Sequence, residues 1–131
     1  MKKFIFLILI FFPALSFADW TLIPLDLESD QIKARYFIDL KNLRLKGNKV
    51  RVWSMQDFNE PQVVGPHSYY SVKSLSEFNC NESKIRILAY SIYDSNMAKG
   101  EKLISKGSPF SWQDIKKDTV NSLYLDMACK N

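Results

Sequence analysis

The sequence predicts an α+β domain, an antiparallel β-sheet followed by a C-terminal α-helix that packs on one face and is tethered there by a disulfide. Three observations carry that reading. Residues 43–53 alternate apolar and polar side chains on both sides of Gly47-Asn48, the pattern of a two-residue β-hairpin. Beyond Trp112 the apolar period lengthens from two to about four, and Val120, Leu123, Tyr124, Met127 and Ala128 recur at helical spacing. The chain has two cysteines, Cys80 at the end of an aromatic and β-branched strand and Cys129 in the helical segment, so one bridge would tie helix to strand.

At the N-terminus Lys2 and Lys3 precede an apolar run, Phe4 to Phe12, and Ser16 and Ala18 fill the small-residue positions of a signal-peptidase site. The run is shorter than the roughly 20 apolar residues that span a bilayer. Cleavage is expected between Ala18 and Asp19, leaving residues 19–131 as the mature domain. No cysteine stands at the cut, so the chain is expected to be exported without a lipid anchor, to the periplasm or the cell surface. Loss of Lys2 and Lys3 lowers the formal charge from +4 to +2. Such a balance does not mark a nucleic-acid binder, and any electrostatic role must come from local clustering. Cys80 and Cys129 lie 49 positions apart, and closing a loop of that size removes about 4 kcal/mol of denatured-state entropy in the chain-entropy model.

The mature chain begins with Trp20 to Pro24, a short strand whose proline suits a sheet edge. Ile32 to Ile38 is a second strand, Asp39 to Asn42 a turn, and Leu43 to Trp53 the hairpin. Asn59 to His67, punctuated by Pro61, Gly65 and Pro66, reads as a loop. Ser68 to Cys80 is the strand ending at the first cysteine. In the next strand, Lys84 to Tyr93, strict alternation puts Ile85, Ile87 and Ala89 on one face and Leu88, Tyr90 and Ile92 on the other, so it is expected to be covered on both sides. Glu101 to Ser105 is a short strand. The helix starts at an N-cap supplied by Asp118 or Thr119. It is expected to cover the face carrying Trp53 and Met55. At ideal pitch Cys129 points away from Val120, so the helix must fray or rotate to reach Cys80.

Catalysis finds little support. There is one histidine, His67, and there are four glycines, with no phosphate loop, Cys-x-x-Cys or nucleophile elbow. No metal set and no cofactor fingerprint are present. The hairpin is more informative. It places Lys46 opposite Lys49 and Arg44 opposite Arg51, although like charges across a ladder are destabilising. Charge at this edge either guards it against aggregation or, with Trp53 on the same parity, forms a patch for an anionic partner.

The order Trp20; Tyr36-Phe37-Ile38-Asp39; Gly47 to Trp53; Asp57-Phe58; Tyr70 to Ser74; Glu77-Phe78-Asn79-Cys80; Arg86; Asn96 to Glu101; Trp112; Ala128-Cys129 resembles the surface-adhesin protein E family. The resemblance implies a Gram-negative source, about six antiparallel strands, and a C-terminal helix fixed by the Cys80 to Cys129 bridge. It also implies a non-catalytic binding module that adheres to a host matrix or envelope component. Ligand contacts are expected at Arg44, Lys46, Lys49, Arg51 and Trp53, toward a protein or an anionic glycan or lipid headgroup. A second copy of the chain is a further candidate partner. The alternative is a periplasmic structural or accessory protein, such as an inhibitor of a cell-wall hydrolase acting through Asn59 to His67.

Overall fold

Alternating stretches of the sequence pair antiparallel into one sheet, and the only α-helix among the described residues follows at the C-terminal end. The computed structural model describes residues 18–25, 34–107 and 109–130. The expected signal segment up to residue 17 and the start of the second expected strand lie outside them. The strands are β1 (Thr21–Leu22), β2 (Ala34–Ile38), β3 (Arg44–Lys46), β4 (Lys49–Val64), β5 (His67–Asn79), β6 (Lys84–Tyr93), β7 (Lys102–Gly107) and β8 (Gln113–Asp114). Their order is β1-β2-β4-β5-β6-β7, with β3 beside β4 and β8 beside β6. Among the described residues the sheet therefore has eight strands rather than about six. A strand as short as Gln113–Asp114 leaves no periodic signal.

The Gly47-Asn48 hairpin forms in the expected register, Arg44 opposite Arg51, Leu45 opposite Val50 and Lys46 opposite Lys49. Gly47 sits at φ +61°, a conformation open to glycine at little cost. Asn48 O accepts from Cys80 N at 2.9 Å, which pins the turn to the end of β5. Leu45 shares the face of Val50 but is not covered there: it is 64% exposed, while Val50 and Val52 are buried.

Asn59 to His67 is not a loop. β4 and β5 continue through it, pairing Gln62 with Tyr69, Val63 with Ser68 and Val64 with His67 around a Gly65-Pro66 turn. Pro61 falls in the register break between Asp57 and Gln62, where a missing N–H costs no ladder bond. Among the described residues, β2 stops pairing at Phe58 and β6 at Ser71, so this hairpin overhangs the sheet.

β6 also departs from strict alternation. Ser76 pairs with Ile87 but Leu75 with Ala89, leaving Leu88 as an extra residue. The bulge shifts the parity, so Ile85, Ile87, Tyr90 and Ile92 all stand on one side, opposite Phe78, Ser76, Ser74 and Val72.

Helix α1 (Val120–Cys129) begins at Thr119, whose side chain accepts from Ser122 N while the Ser122 hydroxyl accepts from Thr119 N, a capping box. Tyr124 and Ala128 join Ile38, Val50, Val52, Phe78 and Ile85 in one buried cluster. The helix residues thus meet the Val50 and Val52 side of β4, not the Trp53 and Met55 side expected from the sequence. Cys129 bonds Cys80 with Cα atoms 5.8 Å apart. No fraying is needed, since Lys130 N still donates to Asp126 O at 3.2 Å beyond it. Burial raises the Tyr124 phenol above its ordinary pKa; Tyr36 adds to this, and Ser54 opposes it. Among the described residues Tyr124 Oη has no partner in hydrogen-bonding geometry, a cost of about 1–3 kcal/mol. No helix among the described residues is long and apolar enough to cross a membrane.

Candidate functional site

On β4 the odd-numbered residues from Lys49 to Asp57 lie on the side away from α1. The hairpin register carries Arg44 and Lys46 onto the same side, and the β5 register adds Lys73 and Glu77. Arg86 of β6 stands opposite Glu77. The expected site residues Arg44, Lys46, Lys49, Arg51 and Trp53 therefore share one face. Lys73, Glu77, Arg86 and Trp112 complete it.

Glu77 is only 3% exposed and lies between two guanidiniums. It accepts from Arg51 Nε at 2.7 Å, and from Arg86 Nε and Arg86 Nη2 at 3.0 and 2.7 Å. Burial opposes its ionisation, yet the hydrogen bonds from Arg51 and Arg86 prevail and hold its carboxyl below the ordinary range. Arg51 is thus a paired cation, and the like-charge cost of facing Arg44 is offset from the opposite strand. No such carboxylate bond occupies Arg44, Lys46, Lys49 or Lys73 among the described residues.

Two tryptophans lie among these cations. Lys73 Nζ stands 4.5 Å from the Trp53 ring centroid. Trp112 has Arg86 at 4.7 Å and Lys49 at 5.7 Å. Such contacts hold long basic side chains against the sheet while their heads stay in water. Arg44, Trp53 and Lys73 also line a shallow depression with Asp39 and Asn42. The arrangement offers fixed positive charge beside flat aromatic surface. No group of three His, Cys, Asp or Glu able to hold a metal ion occurs among the described residues.

Sequence reasoning missed Lys73, Arg86 and Trp112. The parity of Lys73 and Glu77 in residues 68–80 was legible. Their register against Lys49 to Asp57 was not.

The family described as surface-adhesin protein E matches residues 20–130. No match was found among curated proteins. Among solved structures, crystal form II of Haemophilus influenzae protein E is 18% identical, with 86% of this chain and 97% of that chain covered and a TM-score of 0.62. The selenomethionine form of Haemophilus influenzae protein E is 17% identical, covering 73% of this chain and 79% of that one at a TM-score of 0.61. Protein E from non-typeable Haemophilus influenzae is 17% identical, covering 86% and 84% at 0.59. At these identities the likeness is one of fold.

Proposed function

Because the chain belongs to the surface-adhesin protein E family, we propose that it is an exported, non-catalytic binding protein whose cationic and aromatic face holds an anionic surface glycan or headgroup of the host or envelope. The observation that carries this is the gathering of Arg44, Lys46, Lys49 and Lys73 around Trp53 and Trp112, with Glu77 answering only Arg51 and Arg86. Fixed charge of one sign attracts and orients an acidic ligand, and indole faces suit the apolar face of a sugar ring. Export through the expected signal segment would carry the chain to the periplasm or the cell surface, and the family's printed name supports adhesion.

Heparin serves as the probe. The protein should bind it at low ionic strength and release it as salt screens the face. Replacing Arg44, Lys46, Lys49 and Lys73 by Gln should abolish this retention with little change in melting temperature. Arg51 is left in place because removing it would unpair Glu77. Equal retention of the variant, or none by the unaltered protein, would sink the proposal.

The overhanging hairpin of residues 59–69 favours a second reading, an accessory protein that inserts an arm into a partner's cleft. Val63 near its tip is 75% exposed. Deleting residues 60–68 should then abolish capture of an envelope partner and leave heparin retention intact.

A further inference from the structure

The helix side of the sheet changes character along its length. Val50, Val52 and Phe78 lie in the apolar cluster with α1, but the next residues on the same side are Ser54 and Gln56 of β4 and Ser76 and Ser74 of β5. Ser54, Ser74 and Tyr90 stand side by side across three strands. With Phe110, Asn121 and Tyr124 they enclose a cleft of about 330 Å³. That volume is at the lower end of the roughly 300–1,000 Å³ typical of small-ligand sites.

The walls are built rather than incidental. Phe110 N donates to Ile87 O at 2.9 Å, which holds the 109–112 segment beside β6. Its ring is 45% exposed and lies 6.1 Å from the Tyr90 ring at a tilt of 37°. An exposed phenylalanine supported in this way presents a fixed apolar plate. Tyr124, 6% exposed, lines the cleft from the helix, and its Oη is the buried side-chain polar atom without a partner among the described residues.

The chemistry of the lining is selective. It carries serine hydroxyls, the amides of Gln56 and Asn121 and the Tyr124 phenol, all able to donate, but no carboxylate among the described residues. Arg86 is its one charged member and is already bonded to Glu77. A charged ligand finds no open counter-charge here. An uncharged ligand rich in hydroxyls, with one apolar face, finds a partner for each feature.

We propose that this cleft binds a neutral saccharide unit, its hydroxyls bonded by Ser54, Ser74, Gln56 and Asn121 and its C–H face laid against Tyr90 and Phe110. The site lies on the opposite side of the sheet from the cationic face, and the proposal does not depend on that face's function.

The test is an amide NMR titration of the disulfide-bonded chain with maltose, lactose and chitobiose at millimolar concentration, and with trialanine as a neutral peptide control. At least one disaccharide should shift the amides of Ser54, Ser74, Tyr90 and Asn121, with an affinity that does not change with salt. Phe110→Ala should weaken that binding about tenfold by removing the apolar plate. Tyr124→Phe should weaken it several-fold while leaving the melting temperature unchanged or higher, since it deletes an unpartnered hydroxyl. Lys46→Gln with Lys49→Gln should leave sugar binding unaltered while reducing heparin retention, which separates the two sites. No shifts with any of the three sugars, shifts confined to the cationic face, or a response to trialanine alone would each overturn the proposal. So would Phe110→Ala and Tyr124→Phe variants that bind sugar as the parent does.

Discussion

Arg51 stands directly across the β4–β5 ladder from Glu77 and donates Nε to its carboxylate at 2.7 Å, while facing Arg44 on its other side. One guanidinium is thus repelled from one neighbour and held by the other. Charge at the hairpin is tolerated because its register brings a buried acid within reach.

Glu77→Gln should destabilise the protein by about 1–3 kcal/mol, because Arg51 and Arg86 lose a charged acceptor yet keep access to water. The carboxyl is held below its ordinary 4.5 when folded, so the folded state binds the proton less readily than the unfolded one. Its contribution is therefore complete above pH 4.5 and is lost as the pH falls through the lower folded value. Chemical denaturation from pH 7 to 3 should show a steeper acid loss in the parent than in Glu77→Gln. Parallel profiles would show that this carboxyl does not govern acid stability.

Replacing both Cys80 and Cys129 by Ser should cost roughly 2–5 kcal/mol. The helix should loosen before the sheet, because Tyr124 and Ala128 are its buried residues. Hydrogen exchange reports this through lost protection at Tyr124 to Ala128 while Ile85 to Ile92 stay protected. The intact mass of the exported chain should begin at Asp19 and lack two hydrogens relative to the dithiol.

The turn at residues 94–100 should depend on Asp57. That buried carboxylate accepts from Arg35 at 2.6 Å, and from Asn96 Nδ2 and Met97 N at 2.9 Å each. Ser71 Oγ accepts from Ala98 N at 2.9 Å and donates to Ser95 O at 2.6 Å. These bonds hold Met97 at φ +60° and Ala98 at φ +53°, at a cost of about 1–2 kcal/mol per residue. Asp57→Ala should lower stability by about 2–4 kcal/mol and speed tryptic cleavage after the exposed Lys99. Adding Met97→Gly should recover about 1 kcal/mol. If cleavage is unchanged, the turn is held by something other than Asp57.

What was legible in the sequence is what local chemistry determines. The Gly47-Asn48 hairpin and the Thr119 cap each depend on residues a few positions apart, and both form where expected. The side of β4 that meets the helix residues was not legible, because Val50 and Trp53 lie on opposite faces of one strand and both faces are partly apolar. The Glu77 clamp was hidden for a related reason: Arg51 lies 26 positions away, and only the β4–β5 register unites them. Pro61 and Gly65 were read as loop residues, whereas one occupies a register break and the other a tight turn within a long hairpin. Of the candidate site, the five residues named from sequence fall on one face, but the aromatic and basic partners that give that face its shape come from β5, β6 and residue 112.

The extra residue at Leu88 has a consequence of a different kind. A β-strand has a two-beat phase, and one inserted residue reverses it for everything downstream. Upstream of the bulge Ile85 and Ile87 point to the helix side; downstream Tyr90 and Ile92 do. Excising Leu88 would let Ala89 follow Ile87 directly and leave Tyr90 and Ile92 on the helix side, opposite Ser74 and Val72. Flattening the bulge so that Leu88 took Leu75 as its partner would instead turn Tyr90 and Ile92 outward and bring Ala89 and Ser91 inward, removing the aromatic wall of the cleft and unseating a core isoleucine at once. In this strand the spacing of the residues matters as much as their identity.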